Sequence, residues 1–430
     1  MISLLCGVVT ARLILGEVGV EHYALYSLLT TLPALLAFTD LGSGAVIVNS
    51  VATSDDIRTD GHLRAQLTAV GRILLLFALC TMTVNAIMLI SGGWRALLGD
   101  AGDLPGAPLA SFSCVLVFCL GIPVGIWVRI MLGLRRNHIV ILLQGLISPL
   151  TLLGVWLILQ VGEVAASFLA IASFAASFAV SALGLTLTSR WTSPLVSSAS
   201  RRVLHPRRFP GVRVMDVGWP MLAQLVTYPI AVSSQRFVLA QSGTHADVAE
   251  YGVTGQVFFA MNGLVIAAGV ALWPYFARQR HRGAIRRGPF LLSAAFAGGV
   301  LLGTLVVWLA SPWLFRFISD GRIEVANATI LAFGLMVTMT AAVYPLGMFI
   351  MDKPGIRFQV IPTLSMAVVS FSLSVLLTPF LGVPGPLLGS AFALFACQYV
   401  PFTLYILRHR ERLMPSSAQQ NPVADDEPVR

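Results

Sequence analysis

The sequence predicts an all-α integral membrane protein of about twelve transmembrane helices, arranged as two pseudo-symmetric six-helix bundles. Three observations predict it. Of 430 residues, 57% are hydrophobic and only 11% are charged, with a mean hydropathy of +0.83, whereas a soluble globular protein is about one quarter charged. Apolar runs of about 20 residues, the length that spans a bilayer core, recur along the whole chain. Every second loop between those runs is basic, as expected where positive charge is retained in the cytoplasm.

The runs place helices at about 1–16, 23–52, 67–93, 109–133, 139–160, 164–188, 216–240, 251–277, 289–315, 325–350, 358–380 and 387–407. Twenty-one Lys and Arg residues fall in alternate loops and the tail, among them Arg58, Arg135, Arg136, Arg201, Arg202 and Arg357. The intervening loops hold two, Arg95 and Arg322, together with nine acids, among them Glu17, Glu21, Asp247 and Asp320. Both termini are therefore expected in the cytoplasm of a multi-pass inner (plasma) membrane protein. The net charge of +9 sits in short loops between apolar runs, which fits membrane lipids rather than nucleic acid as the partner. Met1 enters an apolar run with no basic segment before it, so no cleavable signal peptide is expected.

The longest basic loop, rich in Ser, Pro and Arg, divides the chain. Residues 1–189 form the expected N-terminal lobe, 190–215 a cytoplasmic basic linker, 216–408 the C-terminal lobe and 409–430 a disordered tail. The halves echo each other: ARLILGEVGVEHYALYSL at 11–28 parallels QRFVLAQSGTHADVAEYGVTGQ at 235–256. Each copy has an Arg near the end of a span, a short acidic loop, then Tyr and a small residue opening the next helix. Six spans per half give both copies the same orientation, the parallel-repeat plan.

Charges inside apolar runs are costly and mark pathways or partners. The repeat singles out Arg12 and Arg236. In the seventh span Gln224, Tyr228, Ala231 and Gln235 recur at four, three and four residues, so they share one helix face. That face belongs either to a helix seam or to a solvated cavity. Asp40 lies on a small or polar stripe with Tyr26, Thr30, Pro33 and Ala37. It either caps a break at the following Gly-Ser-Gly or faces a water-filled cavity. Arg72 near the start of the third span is expected to snorkel to the headgroups. The five cysteines lie in apolar runs at spacings that make neither a metal site nor a disulfide framework, and no cofactor is expected.

Arg12-Leu13-Ile14-Leu15-Gly16, Tyr23-Ala24-Leu25-Tyr26 and Asp40-Leu41-Gly42 resemble the opening of bacterial polysaccharide (O-antigen-type) flippases. These belong to the multidrug/oligosaccharidyl-lipid/polysaccharide exporter superfamily. Glu250-Tyr251-Gly252 and Trp273-Pro274-Tyr275 resemble the second half. The motifs cover about 60 residues; Ala24 replaces a common Gly, and an extra residue separates Arg12 from Gly16. The resemblance implies two lobes around a central cavity, a monomer, no enzymatic activity, and transport of a polyprenyl-pyrophosphate-linked oligosaccharide between leaflets. It implies that Arg12 and Arg236 hold the anionic headgroup, that Gln224, Tyr228, Gln235, Gln256 and Asn262 bond sugar hydroxyls, and that Asp40 pairs with an Arg. A polysaccharide polymerase and glycosyltransferases are the implied partners. Two rivals are a multidrug and toxin extrusion type exporter, which would favour cavity carboxylates, and a membrane-embedded polyprenyl glycosyltransferase or polymerase, which would need catalytic acids or His in a surface loop.

Overall fold

The computed structural model describes residues 2–36, 44, 47, 48, 50, 51, 54, 56–205, 207–209, 219–270, 272, 275, 276, 279 and 288–413, with side chains for most of them. All regular structure among these residues is helical. In chain order the helices are α1 (Ile2–Leu29), α2 (Leu32–Leu35), α3 (Gly61–Ile90), α4 (Gly93–Leu98), α5 (Ala107–Val124), α6 (Trp127–Gly133), α7 (Asn137–Gly145), α8 (Ile147–Leu159), α9 (Ile171–Trp191), α10 (Leu195–Val203), α11 (Trp219–Ser242), α12 (His245–Val270), α13 (Phe290–Ser319), α14 (Asn327–Phe349), α15 (Lys353–Leu381), α16 (Pro384–Leu394) and α17 (Val400–Arg408). A π-helical turn, Phe395–Tyr399, joins the last two.

Ten helical stretches among the described residues are long and apolar enough to cross a membrane. The protein is therefore a multi-pass membrane protein. Two of the twelve expected spans are absent from that set for identifiable reasons. The first stretch takes in Ser3–Leu35 as one, so it contains the first span and the start of the second. Much of the rest of the second span lies outside the described residues. The seventh span corresponds to α11, which is long enough but less apolar than the others, because Gln224, Tyr228, Gln235, Arg236 and Gln241 lie in it.

The loop expected between the first two spans is a single residue. Gly19 has φ 86° and ψ −175° inside α1, a conformation open essentially to glycine alone. Tyr23 accepts a hydrogen bond from Gln256 at 3.0 Å, and Gln256 Oε1 lies 4.0 Å from where a Cβ on Gly7 would sit. In a straight helix Gly7 and Tyr23 would be about 24 Å apart. Both lie within reach of one side chain because α1 doubles back at Gly19.

By contacts the chain forms two units: Met1–Gln256 with Pro312–Glu324, and Val257–Ser311 with Val325–Arg430. In the first, α5 packs against α3 and α9, and α8 packs against α1 and α9. The indole of Trp127 fills the space over Gly184, where a Cβ would come within 2.4 Å of the ring. In the second, α16 lies against α14 and α15. A turn at Gly382 (φ 61°) precedes it, and Gly385 and Gly389 bring its backbone onto Leu377 and Leu373. Small residues permit such close approach where lipid offers no hydrophobic drive. Ser370 and Ser390 hydroxyls meet across the seam at 2.7 Å. Leu301, Leu302, Leu305, Val306 and Leu309 of α13 are exposed, a face suited to lipid tails.

Two sequence expectations change. The stretch 190–215, expected only as a basic linker between the lobes, contains α10, because Leu195, Val196, Ala199 and Val203 form one apolar face that packs on α3. Arg72 does not simply snorkel. Its Nε and Nη2 donate to the carbonyls of Val203 and Arg202, each at 3.0 Å, satisfying the exposed end of α10 where a cation also suits the helix dipole.

Asp60 caps α3. Its carboxylate accepts from the backbone N–H of His62 at 2.8 Å and of Leu63 at 3.0 Å, and from the Ser54 hydroxyl at 2.9 Å. The bonds to Leu63 and Ser54 hold its pKa below the usual carboxylate value. Asp60→Ala is expected to lower stability by about 1 kcal/mol at neutral pH. A depressed folded-state pKa gives stability that is present above the unfolded value and lost as pH falls through the folded one. The wild-type advantage in thermal unfolding should therefore shrink below about pH 4; an advantage independent of pH would contradict the capping role.

Candidate functional site

The second arm of α1 and the facing ends of α11 and α12 build a buried polar cluster within the first unit. Tyr23, Ser27 and Thr31 recur every four residues and so line one face. Gly252 of α12 allows the helices to touch: a Cβ there would lie 2.7 Å from Ser27 Oγ and 3.3 Å from the Tyr23 ring. Tyr23, Ser27, Gln235, Tyr251 and Thr254 are all buried.

Arg236 is the cation of this cluster. Its Nη1 donates to the Ser27 carbonyl at 2.8 Å and to the Thr31 hydroxyl at 2.7 Å. Its guanidinium lies 5.5 Å from the centroid of the Tyr251 ring, within cation–π range. The Tyr251 hydroxyl donates to Gln235 Oε1 at 2.6 Å, and Gln235 Nε2 donates to the Ala231 carbonyl at 3.2 Å. Gln256 Nε2 donates to Tyr23, whose ring stacks on Tyr26 at 6.3 Å. Three buried polar atoms here, Ser27 Oγ, Thr254 Oγ1 and Gln256 Oε1, have no hydrogen-bond partner among the described residues. Buried polar groups are normally paired, so this cluster has hydrogen-bonding capacity that the described residues do not use.

The sequence-derived candidates divide. Arg236, Gln235 and Gln256 meet in the cluster. Arg12 does not join it through the contacts it makes. Its Nη2 pairs with Asp320 at 2.9 Å, with both side chains about half exposed. Its Nη1 donates to the Phe317 carbonyl at 3.0 Å, and its guanidinium lies over the Phe317 ring at 4.7 Å. Arg322 reinforces that junction by donating to the Gly16 carbonyl. Asn262 is buried in the part of α12 that belongs to the second unit. Asp40 and the side chains of Gln224 and Tyr228 lie outside the described residues; the acid that Arg12 pairs with is Asp320. Ser27, Thr31 and Thr254 were not singled out by sequence. The four-residue spacing of Tyr23, Ser27 and Thr31 was the available signal, but the stripe through Tyr26 and Thr30 lies about 100° around the helix. Thr30 turns its hydroxyl back onto the Tyr26 carbonyl at 2.8 Å. No group of three or more metal-ligating side chains occurs among the described residues.

No family model matches the chain, and no curated protein does. Solved structures do. The chain is similar to an inward-facing multidrug resistance MATE family transporter of the MOP superfamily, with a TM-score of 0.66 at 17% identity, covering 96% of this chain and 94% of that one. It is similar to the lipid II flippase MurJ in an inward closed conformation, with a TM-score of 0.66 at 12% identity, covering 96% and 88%. A third is a MOP superfamily transporter from Pyrococcus furiosus, described as having a binding pocket of reverse polarity, with a TM-score of 0.58 at 14% identity over 95% and 91%. At these identities the likeness establishes the all-helical fold of that superfamily's transporters.

Proposed function

We propose that the protein is a flippase that moves a polyprenyl-pyrophosphate-linked oligosaccharide, a surface polysaccharide precursor, from the inner to the outer leaflet by alternating access. The observation that carries this reading is the Arg236 cluster: a guanidinium within a buried shell of tyrosines and hydroxyls, beside polar atoms that have no partner among the described residues. Arg236 binds the diphosphate, because a planar guanidinium matches phosphate oxygens bidentately. Ser27, Thr254 and Gln256 supply hydrogen bonds to sugar hydroxyls, with Gln235 fixing the Tyr251 hydroxyl. Gln224, Tyr228, Asn262 and Asp40 keep their sequence-based places in the proposed pathway. Residues 1–189 and 216–408 act as its two lobes.

The energetics are consistent. A diphosphate carries about two negative charges, and outward movement from a negative cytoplasm is favoured by about 2.3 kcal/mol per charge per 100 mV. The obstacle is desolvation, which a polar cationic site lowers while the polyprenyl tail stays in lipid. The cation in this cluster disfavours a cationic drug as cargo, which is the point of difference from a multidrug exporter of the same fold. On this reading the protein is not an enzyme; it works beside the glycosyltransferases and polymerase that make and extend its cargo.

Deletion is expected to leave lipid-linked saccharide on the inner leaflet and to deplete surface polysaccharide, measured by glycan staining and by protection of the lipid-linked pool from an external glycosidase. Normal surface glycan in a strain without a second flippase would overturn the proposal. Loss of cationic dye efflux in place of glycan loss would transfer the assignment to a drug exporter.

A further inference from the structure

A second site lies in the first unit, under α10. A cavity of ≈ 310 Å³ opens between this helix and the ends of α3, α5, α6 and α9, a volume at the lower end of the range of ligand pockets. Its walls are almost wholly apolar, with Leu67, Leu75, Ile130, Leu185 and Val196 among them, and Ser200 as the one polar side chain. An apolar cavity holds water poorly. Two of its lining side chains, Leu75 and Leu204, are 41% and 78% exposed, so the cavity has a mouth.

The helix that roofs the cavity has the character of an interfacial segment. Leu195 and Ala199 are buried on one side, while Ser197 and Arg201 are exposed on the other. Such helices lie in the headgroup plane with their apolar side down. Arg201 and Arg202 occupy the last turn. The carbonyl end of the roof would repel an anion, but Arg72 already binds two of those carbonyls. Below the roof, Arg64, Leu67, Gly71 and Leu75 recur at three, four and four residues on α3 and so share a stripe; the last three line the cavity. Arg64 donates from Nη2 to the Arg58 carbonyl at 3.1 Å, which leaves its buried Nε with no hydrogen-bond partner among the described residues. Gly71 is needed for closure, because a Cβ there would lie 3.1 Å from Val203.

We propose that this cavity is a binding site for an anionic glycerophospholipid of the bilayer, one acyl chain entering between Leu75 and Leu204 and the phosphate held by Arg201, Arg202 and Arg64. The charge of the rim selects the headgroup, and the apolar walls select the chain. The bound lipid pins α10 to α3.

The test is native mass spectrometry of the purified full chain after exchange into phosphatidylglycerol or phosphatidylcholine micelles. The wild type is expected to retain one phosphatidylglycerol and to shed phosphatidylcholine. Arg201→Gln with Arg202→Gln should lower retention by about fivefold for each charge removed. Leu75→Trp fills the cavity from its partly exposed mouth, and Ala199→Trp fills it from the roof; each should abolish retention. Because Ala199 is buried and its variant could misfold, Leu75→Trp is the deciding one, with monodispersity checked first. Equal retention of both lipids, or undiminished retention in Leu75→Trp, would overturn the proposal. So would displacement by an equimolar polyprenyl phosphate, which would give the cavity to the tail of the transported cargo.

Discussion

Arg236→Gln is expected to lose most of the surface glycan that wild type restores to a deletion strain. The side chain is held at three points, by the Ser27 carbonyl, the Thr31 hydroxyl and the Tyr251 ring, so it is preorganised as well as charged. Hydrogen bonds to charged groups contribute about 1.5–3 kcal/mol each, so losing one from the proposed diphosphate cargo is expected to weaken binding about 10- to 100-fold. Arg236→Lys keeps the charge and loses the planar fork, and should retain partial activity. Arg12→Gln is the contrast. Its exposed pair with Asp320 is of a kind that contributes at most about 1 kcal/mol, so its defect should be mild. The readout is surface glycan against membrane protein level by blot. Full complementation by Arg236→Gln would remove the cluster from the transport site; equal defects at both positions would return Arg12 to it.

Gly99→Ala is expected to prevent accumulation of folded protein. Gly99 has φ 59° and ψ −140°, a region that costs other residues about 1–3 kcal/mol. A Cβ there would also lie 1.9 Å from the Ala240 carbonyl oxygen. That neighbour is backbone, so relief requires moving α11. Overpacking of this kind adds about 1–3 kcal/mol. Gln241 secures the same junction, donating to the Ala96 and Leu97 carbonyls. The control is Gly92→Ala, where φ is 74° but the space is open; strain alone costs about 1–2 kcal/mol. Size-exclusion profiles in detergent should show Gly99→Ala aggregated or absent and Gly92→Ala monodisperse. Similar profiles would mean that the junction yields.

The membrane helices were legible because their apolar runs are long and the charges between them alternate in sign. Ends were less so: α12 begins at His245 and not at residue 251, since an acidic first turn with Asp247 suits a helix start as well as a loop. Glu17, Gly19 and Glu21 read as a loop, yet the chain needs only Gly19 to turn. Ser, Pro and Arg disguised α10, whose four apolar residues matter only once α3 offers Gly71 as a place to dock. In the cluster, the internal repeat pointed to Arg236 and Tyr251. Composition could not say which of two adjacent stripes on the second arm of α1 would meet them. That choice is set by the close approach at Gly252, a contact between residues more than two hundred positions apart.

In biogenesis, the single-residue turn at Gly19 makes the first two membrane segments one insertion unit. Helices joined by a long hydrophilic loop can leave the translocon one at a time. Here successive Cα atoms are only about 3.8 Å apart across the turn, so neither arm can settle without the other. The tip carries Glu17 and Glu21, and on the proposed topology both must be drawn across with it. Ionisable residues cost several kcal/mol in mid-bilayer, a cost that the paired arms meet with twice the apolar surface of either alone. Fusing a reporter after residue 19 would therefore measure a half-hairpin that the native chain never presents to the membrane.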